Sequence, residues 1–263
     1  MIAQFAIRLI CGMSLAWCLT PRRQITDGFF RIQMLITLGL SVLACLAHLG
    51  GWNNSIPQMA GEPGSAWGIH THTWLCGATA IVAYVGSFTW ALGRRRIGTV
   101  CIVVITALAL ALLVQSAQTA SSTSLPMSLM VVASELSTAL LLGAAMVSML
   151  LGHWYLTATG MPLAPLKRLN LVLGVATLLR IALAIVGFVL IGGLPESDHQ
   201  RLLLSLRWLA GLVSPLVVVV MVSRILEYRN TQSATGVLYV GVVLILTGEL
   251  TATLLAHELS MPV

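Results

Sequence analysis

Ten of the fourteen lysines and arginines in this chain fall in every second link between its long apolar runs. From the N-terminus the links are basic (Arg22, Arg23, Arg31), free of lysine and arginine (Gly51 to Trp67), basic (Arg94, Arg95, Arg96) and uncharged (Ser116 to Leu125). They continue basic (Lys167, Arg168), acidic-leaning (Glu196 and Asp198, with Arg201 at the edge) and basic (Arg224, Arg229). Short loops rich in Lys and Arg stay on the cytoplasmic side during insertion. The alternation therefore predicts an all-α polytopic membrane protein that crosses an even number of times, with both termini outside.

Composition agrees. With 58% hydrophobic and 8% charged residues, the chain lies far from the roughly 45–50% apolar and about 25% charged residues of soluble domains. The net charge of +6 sits in the links assigned to the cytoplasm, so membrane orientation accounts for it and nucleic acid is not an expected partner. The expected setting is the cell's inner (plasma) membrane, with the bilayer as the first partner and other membrane subunits as further ones.

A hydrocarbon core of roughly 30 Å needs about 20 helical residues. Eight runs meet or approach that length: Ile2–Leu19, Ile32–Gly50, Thr73–Leu92, Gly98–Val114, Met127–Leu156, Leu171–Ile191, Leu203–Ile225 and Val237–Ala256. The first reads as an uncleaved helix rather than a signal peptide, because its positive charges follow the apolar stretch and no small-residue cleavage site ends it. Links are short, so residues 1–263 read as a single transmembrane bundle. Trp17, Trp90 and Trp154 come near expected inner ends and Trp52, Trp67, Trp74 and Trp208 near outer ends, as the headgroup preference of indole would have it. Gly39, Gly143, Ala144, Gly174, Gly187 and Gly241 are candidates for close helix packing. Pro215, after Ser214, should kink the seventh helix.

Cys11, Cys18, Cys45, Cys76 and Cys101 are odd in number and contain no CxxC pair, which argues against a thiol–disulfide carrier. There is no Walker loop, GxGxxG, HExxH, GxSxG or CxxCH. Any cofactor is therefore expected to be held by dispersed side chains on different helices.

Ionisable groups inside a bilayer cost roughly 2.5–3.5 kcal/mol each on insertion scales and mark function by default. On the expected topology Arg8, His48, His70, His72, Glu135, Arg207, Glu249 and His257 all fall in the outer half. Arg180 lies near mid-depth, and His153 near the inner end of the fifth helix. Histidines at matching depth on neighbouring helices suit b-type haem, which nominates His48 with His70 or His72. Glu249 and His257, with Glu135, suit proton exchange with a quinol at the membrane edge. Cys45 and His48, at i,i+3, share a helix face and are candidate soft-metal donors.

Each reading has a structural rival. His70, His72 and His257 sit at helix ends, where an interfacial histidine needs no ligand. Arg207 and Glu249 can form an ion pair stitching the seventh and eighth helices, and His153 can anchor in the cytoplasmic interface beside Trp154 and Tyr155. The leading expectation is a membrane-embedded subunit of a quinone- or haem-linked electron-transfer complex with a site near the outer face, using Glu249, His257, Glu135, His48, His70, His72 and Arg207. A small transporter or channel centred on Arg180 and Pro215 is the alternative, and a scaffold or assembly factor without a site is a third. Eight-helix membrane anchors of quinol-linked oxidoreductases are similar in size and architecture, a likeness of fold only.

Overall fold

A computed structural model describes residues 2–50, 64–120, 125–158, 160–191 and 197–259. Every regular element among them is helical: α1 (Ile2–Leu19), α2 (Asp27–Leu49), α3 (Gly64–Ala91), α4 (Arg95–Ala120), α5 (Leu125–Thr157) and α6 (Ala164–Ile191) precede α7 (Asp198–Leu206), α8 (Ser214–Glu227) and α9 (Thr231–Leu259). A π-helical segment, Arg207–Val213, joins α7 to α8, and the three together make one crossing. Eight helices are thus long and apolar enough to span a membrane.

The helices overrun the apolar runs at their polar ends. α4 starts at Arg95 and α6 at Ala164, ahead of Lys167 and Arg168, because a backbone already hydrogen-bonded within a helix enters the headgroup layer without exposing polar groups. The α3–α4 turn closes through Gly93 at φ +69°, where the left-handed backbone is open to glycine at no steric cost. The basic links gather in pairs. Arg95 Nε bonds Asp27 at 2.8 Å, Arg22, Arg23, Arg95 and Arg96 face one cavity, and Lys167 and Arg229 face another.

α1 is the most enclosed crossing, 61% of it buried, and touches α2, α4 and α5. α2, α3 and α4 wrap one side of it. On the other, α5 leads to α6 and α9, with α8 packed on both. Two backbone contacts set the spacing. A methyl group on Gly12 would lie 1.7 Å from the Ala139 carbonyl oxygen, and one on Gly248 would lie 2.1 Å from Gly211 Cα. Without a hydrophobic force between helices in lipid, such contacts let dispersion and backbone dipoles hold helices together. Of the glycines expected to pack, Gly143 does so against Gly12, and Gly174 and Gly241 against Val219 and Val218, whereas Gly39 faces open space.

The tryptophans divide. Trp74 is 77% exposed, as an interfacial ring should be, but Trp17 and Trp90 are buried at 0% and 2%. Trp90 stacks on Phe30 with ring centroids 4.6 Å apart, so these two rings face the interior of the bundle rather than its outer surface. Trp154 Nε1 donates to Thr26 Oγ1 at 2.7 Å, tying α5 to the start of α2. Trp52 lies outside the described residues, and Trp67 falls on the first turns of α3, where side chains are not described.

Just before the proline expected to kink this helix, the backbone takes up a π segment. Pro215 has no N–H to offer the carbonyl one turn back, and its ring crowds that carbonyl. The wider turn through Arg207–Val213 relieves the crowding, and the Ser214 hydroxyl donates to the Ala210 carbonyl.

Candidate functional site

The chemistry collects beside the two glycine contacts: Arg8, Glu135 and Arg207 lie one turn before Gly12, Ala139 and Gly211, and Glu249 follows Gly248. Because Gly12 lies against Ala139 and Gly143, Arg8 on α1 comes level with Glu135 on α5. Arg8 Nε donates to Glu135 Oε2 at 2.6 Å and Arg8 Nη2 to Glu135 Oε1. Gln4 Nε2 adds a bond to Glu135 Oε1 at 3.2 Å. Arg8 Nη1 reaches Thr253 Oγ1 on α9 at 3.4 Å.

A second pair is deeper. Arg180 on α6 grips Glu249 on α9 with both arms of its fork, Nε to Oε1 at 2.9 Å and Nη2 to Oε2 at 3.0 Å. Its remaining arm, Nη1, donates to Ser134 Oγ at 2.8 Å, and Thr138 Oγ1 donates to Glu249 Oε2 at 3.2 Å. The two side chains are 4% and 6% exposed. α5 therefore supplies Ser134, Glu135 and Thr138 to both pairs, and α9 supplies Glu249 and Thr253. Four helices are held by one network in which each charge meets its opposite, as an intramembrane charge requires.

Arg207 belongs to the same region but not to the network. It opens the π segment, is 2% exposed, and its Nη1 and Nη2 have no hydrogen-bond partner among the described residues. The expected Arg207–Glu249 pair is thus replaced by Arg180–Glu249. The reason is geometric: α5 and α6 present Ser134, Thr138 and Arg180 around the carboxylate, which uses both of its oxygens on Arg180.

A cavity of about 320 Å³ reaches the network from the side, lined by Ile2, Gln4, Phe5, Arg8, Leu142, Leu246, Glu249, Leu250 and Thr253. Its apolar lining includes Ile2, Phe5 and Leu250, which are 48%, 39% and 59% exposed on the outside of the bundle. The mouth therefore opens between α1 and α9 toward the surface that lipid covers, with Arg8 and Glu249 as its polar floor.

The histidines form a separate pair. His48 on α2 and His72 on α3 stack face to face, ring centroids 5.2 Å apart and planes 23° from parallel. His48 Nε2 and His72 Nδ1 are buried without a hydrogen-bond partner among the described residues. Axial haem ligands aim a nitrogen each at one iron from opposite sides, and stacked rings at this separation leave no room for a macrocycle between them. The pair does not fit the expected bis-histidine haem. Among the described residues no three His, Cys, Asp or Glu side chains are grouped to hold a metal. His70 and His257 fall on helical stretches whose side chains lie outside the described residues.

Of the remaining expectations, His153 meets Tyr239 edge to face at 6.3 Å, a contact between α5 and α9. Sequence reasoning gathered Glu135, Arg207 and Glu249 in the right region but missed the Arg8–Glu135 and Arg180–Glu249 pairings and their polar partners Gln4, Ser134, Thr138 and Thr253. One signal was available: leaving aside Arg224 at the end of its run, the apolar runs hold Arg8, Arg180 and Arg207 against Glu135 and Glu249, which demands two pairs and leaves one cation over. Comparison with protein-family models, curated proteins and solved structures finds no match to this chain.

Proposed function

We propose that this protein is the membrane-embedded subunit of a quinone-linked redox complex in the plasma membrane, its basic links cytoplasmic and its site near the outer face. One observation carries the reading: an apolar cavity opens sideways from the lipid-facing surface onto a floor made by Arg8 and Glu249. Amphiphiles dissolved in the bilayer fit such a shape, with the tail along Phe5, Leu142, Leu246 and Leu250 and the head against the charged floor. A quinone head is the class best suited. Arg8 offers its guanidinium to a ring carbonyl, and Glu249 accepts the hydrogen bond of a quinol hydroxyl. Glu135 and Arg180 act as positioning residues, each fixing the charged partner that touches the head. Electrons then pass to or from a partner subunit at the outer face.

The test uses the protein in native membranes with a photoreactive quinone of full tail length. Cross-linking should fall on peptides containing Phe5 or Leu250, and Leu246→Trp, which fills the cavity, should abolish it; a lipid extract of the purified wild type should contain quinone. Absence of quinone from the extract, or equal labelling of wild type and Leu246→Trp, overturns the reading. A second reading, a small transporter, draws support from the interrupted seventh crossing, since transporters build midplane sites from broken helices. Uptake into proteoliposomes that survives Leu246→Trp would favour it.

A further inference from the structure

The buried charges do not balance. Arg8 is matched by Glu135 and Arg180 by Glu249, and Arg207 is left over at 2% exposure with two guanidinium nitrogens that bond to nothing among the described residues. A guanidinium stays charged at any accessible pH and carries five N–H donors. Enclosing it unpaired in low dielectric is among the costliest arrangements a protein can hold.

Local structure gives the group no alternative. Glu249 attracts Arg207 electrostatically, but the carboxylate is bonded by Arg180 and Thr138, and Arg207 Nη1 and Nη2 make no hydrogen bond to it. Arg207 cannot snorkel to the headgroups while the Gly211–Gly248 backbone contact, one turn further along the π segment, pins this stretch against α9. Nor does it line the lateral cavity, so the head of a bilayer amphiphile entering there does not answer it. π turns within membrane helices are frequent at functional positions, and here one begins at the orphaned residue.

We infer that Arg207 is the centre of a small-anion site, holding one monovalent anion of halide or formate size against its Nη1 and Nη2. Charge fixes the valence, since one negative charge neutralises the five-group cluster of Arg8, Glu135, Arg180, Arg207 and Glu249. Near-complete burial fixes the size, because phosphate or a phospholipid headgroup would need an opening to the surface. The site does not depend on the quinone reading, and either can fail without the other.

Chloride serves as the probe. The unfolding midpoint of the detergent-purified protein is followed while chloride replaces gluconate, too large to enter, from about 1 mM to about 300 mM at constant sodium. A ligand that binds only the folded state makes the midpoint rise with its concentration. The expected rise is about 3–6 °C per tenfold chloride above the dissociation constant, from the general relation of stability to midpoint for chains of this size. In Arg207→Met the dependence should vanish. An unchanged wild-type midpoint across the series, with Arg207→Met equal to or more stable than wild type, overturns the inference. Should Arg207→Met fail to fold, crystals of the wild type soaked in bromide decide instead: an anomalous peak within hydrogen-bonding reach of the Arg207 guanidinium supports the site, and its absence refutes it.

Discussion

Replacing Arg180 with Met removes the only residue among those described that engages both oxygens of Glu249. Both side chains are almost wholly enclosed, at 4% and 6% exposed, so the stranded carboxylate keeps only the Thr138 hydroxyl at 3.2 Å. Breaking a buried pair from one side costs about 3–5 kcal/mol. The lower end applies here, because Arg207 acts on the same carboxylate and can turn toward it. Glu249→Gln is the more damaging change, at about 4–5 kcal/mol, since it strands Arg180 and deprives Arg207 of its one nearby negative charge. Removing both partners leaves no unpaired carboxylate, and the double variant should lose only about 2 kcal/mol relative to wild type, because apolar replacement of a whole buried pair is often nearly neutral. The cycle therefore gives a coupling of about 5 kcal/mol between Arg180 and Glu249, obtained from reversible unfolding in bicelles followed by tryptophan fluorescence. Coupling below about 0.5 kcal/mol would show the pair to be incidental. Glu249→Gln milder than Arg180→Met would show that Arg207 does not depend on this carboxylate.

Three further outcomes follow from the packing. Gly12→Leu should cost about 3 kcal/mol in the same unfolding assay by forcing α1 from the α5 backbone, while Gly39→Ala, whose added methyl meets nothing within 4 Å, should stay within about 0.5 kcal/mol of wild type. Asn170 Nδ2 donates to the Val219 carbonyl at 3.0 Å and to Ser223 Oγ at 2.8 Å, so Asn170→Leu should weaken the α6–α8 contact and lower stability by about 1 kcal/mol. In a background lacking the five native cysteines, a cysteine at Ser197 should react with an impermeant thiol reagent in intact cells and one at Gln24 should not; the reverse pattern inverts the topology and moves the site to the inner face.

Helix number was readable because hydrophobic length and charge segregation are properties of the chain taken one segment at a time. Pairing is not such a property. Whether Glu249 meets Arg180 or Arg207 depends on which faces α6, α7 and α9 turn to one another, and both arginines lie at plausible depth. Ser134 and Thr138 on α5 decide it with Arg180, at a helix spacing set by glycine contacts whose atoms the side-chain pattern does not mark. Gly12 was overlooked for the same reason: it lies in an apolar run with nothing to distinguish it from Gly39, which packs on nothing. The histidines were readable as neighbours on α2 and α3, but stacking rather than facing across a cofactor is a matter of rotamer and helix rotation. Trp17 and Trp90 mislead similarly, since depth along a helix says nothing of which side of it the ring occupies.

The π segment also changes what the seventh crossing is. An α-helix turns about 100° per residue, so the one extra residue accommodated within Arg207–Val213 rotates everything after it by that angle relative to an unbroken helix. α7 accordingly addresses α9, while α8 is turned to meet both α6 and α9, burying Val218, Val222 and Leu226. The crossing is two pieces with separately chosen faces, and chain length between them is the variable that sets their relative rotation. Deleting a single residue from the stretch Leu209–Leu212 would bring back the crowding at Pro215 and swing Val218, Val222 and the partners of Asn170 out toward lipid. At that point of the bundle the spelling of the sequence is forgiving, and its residue count is not.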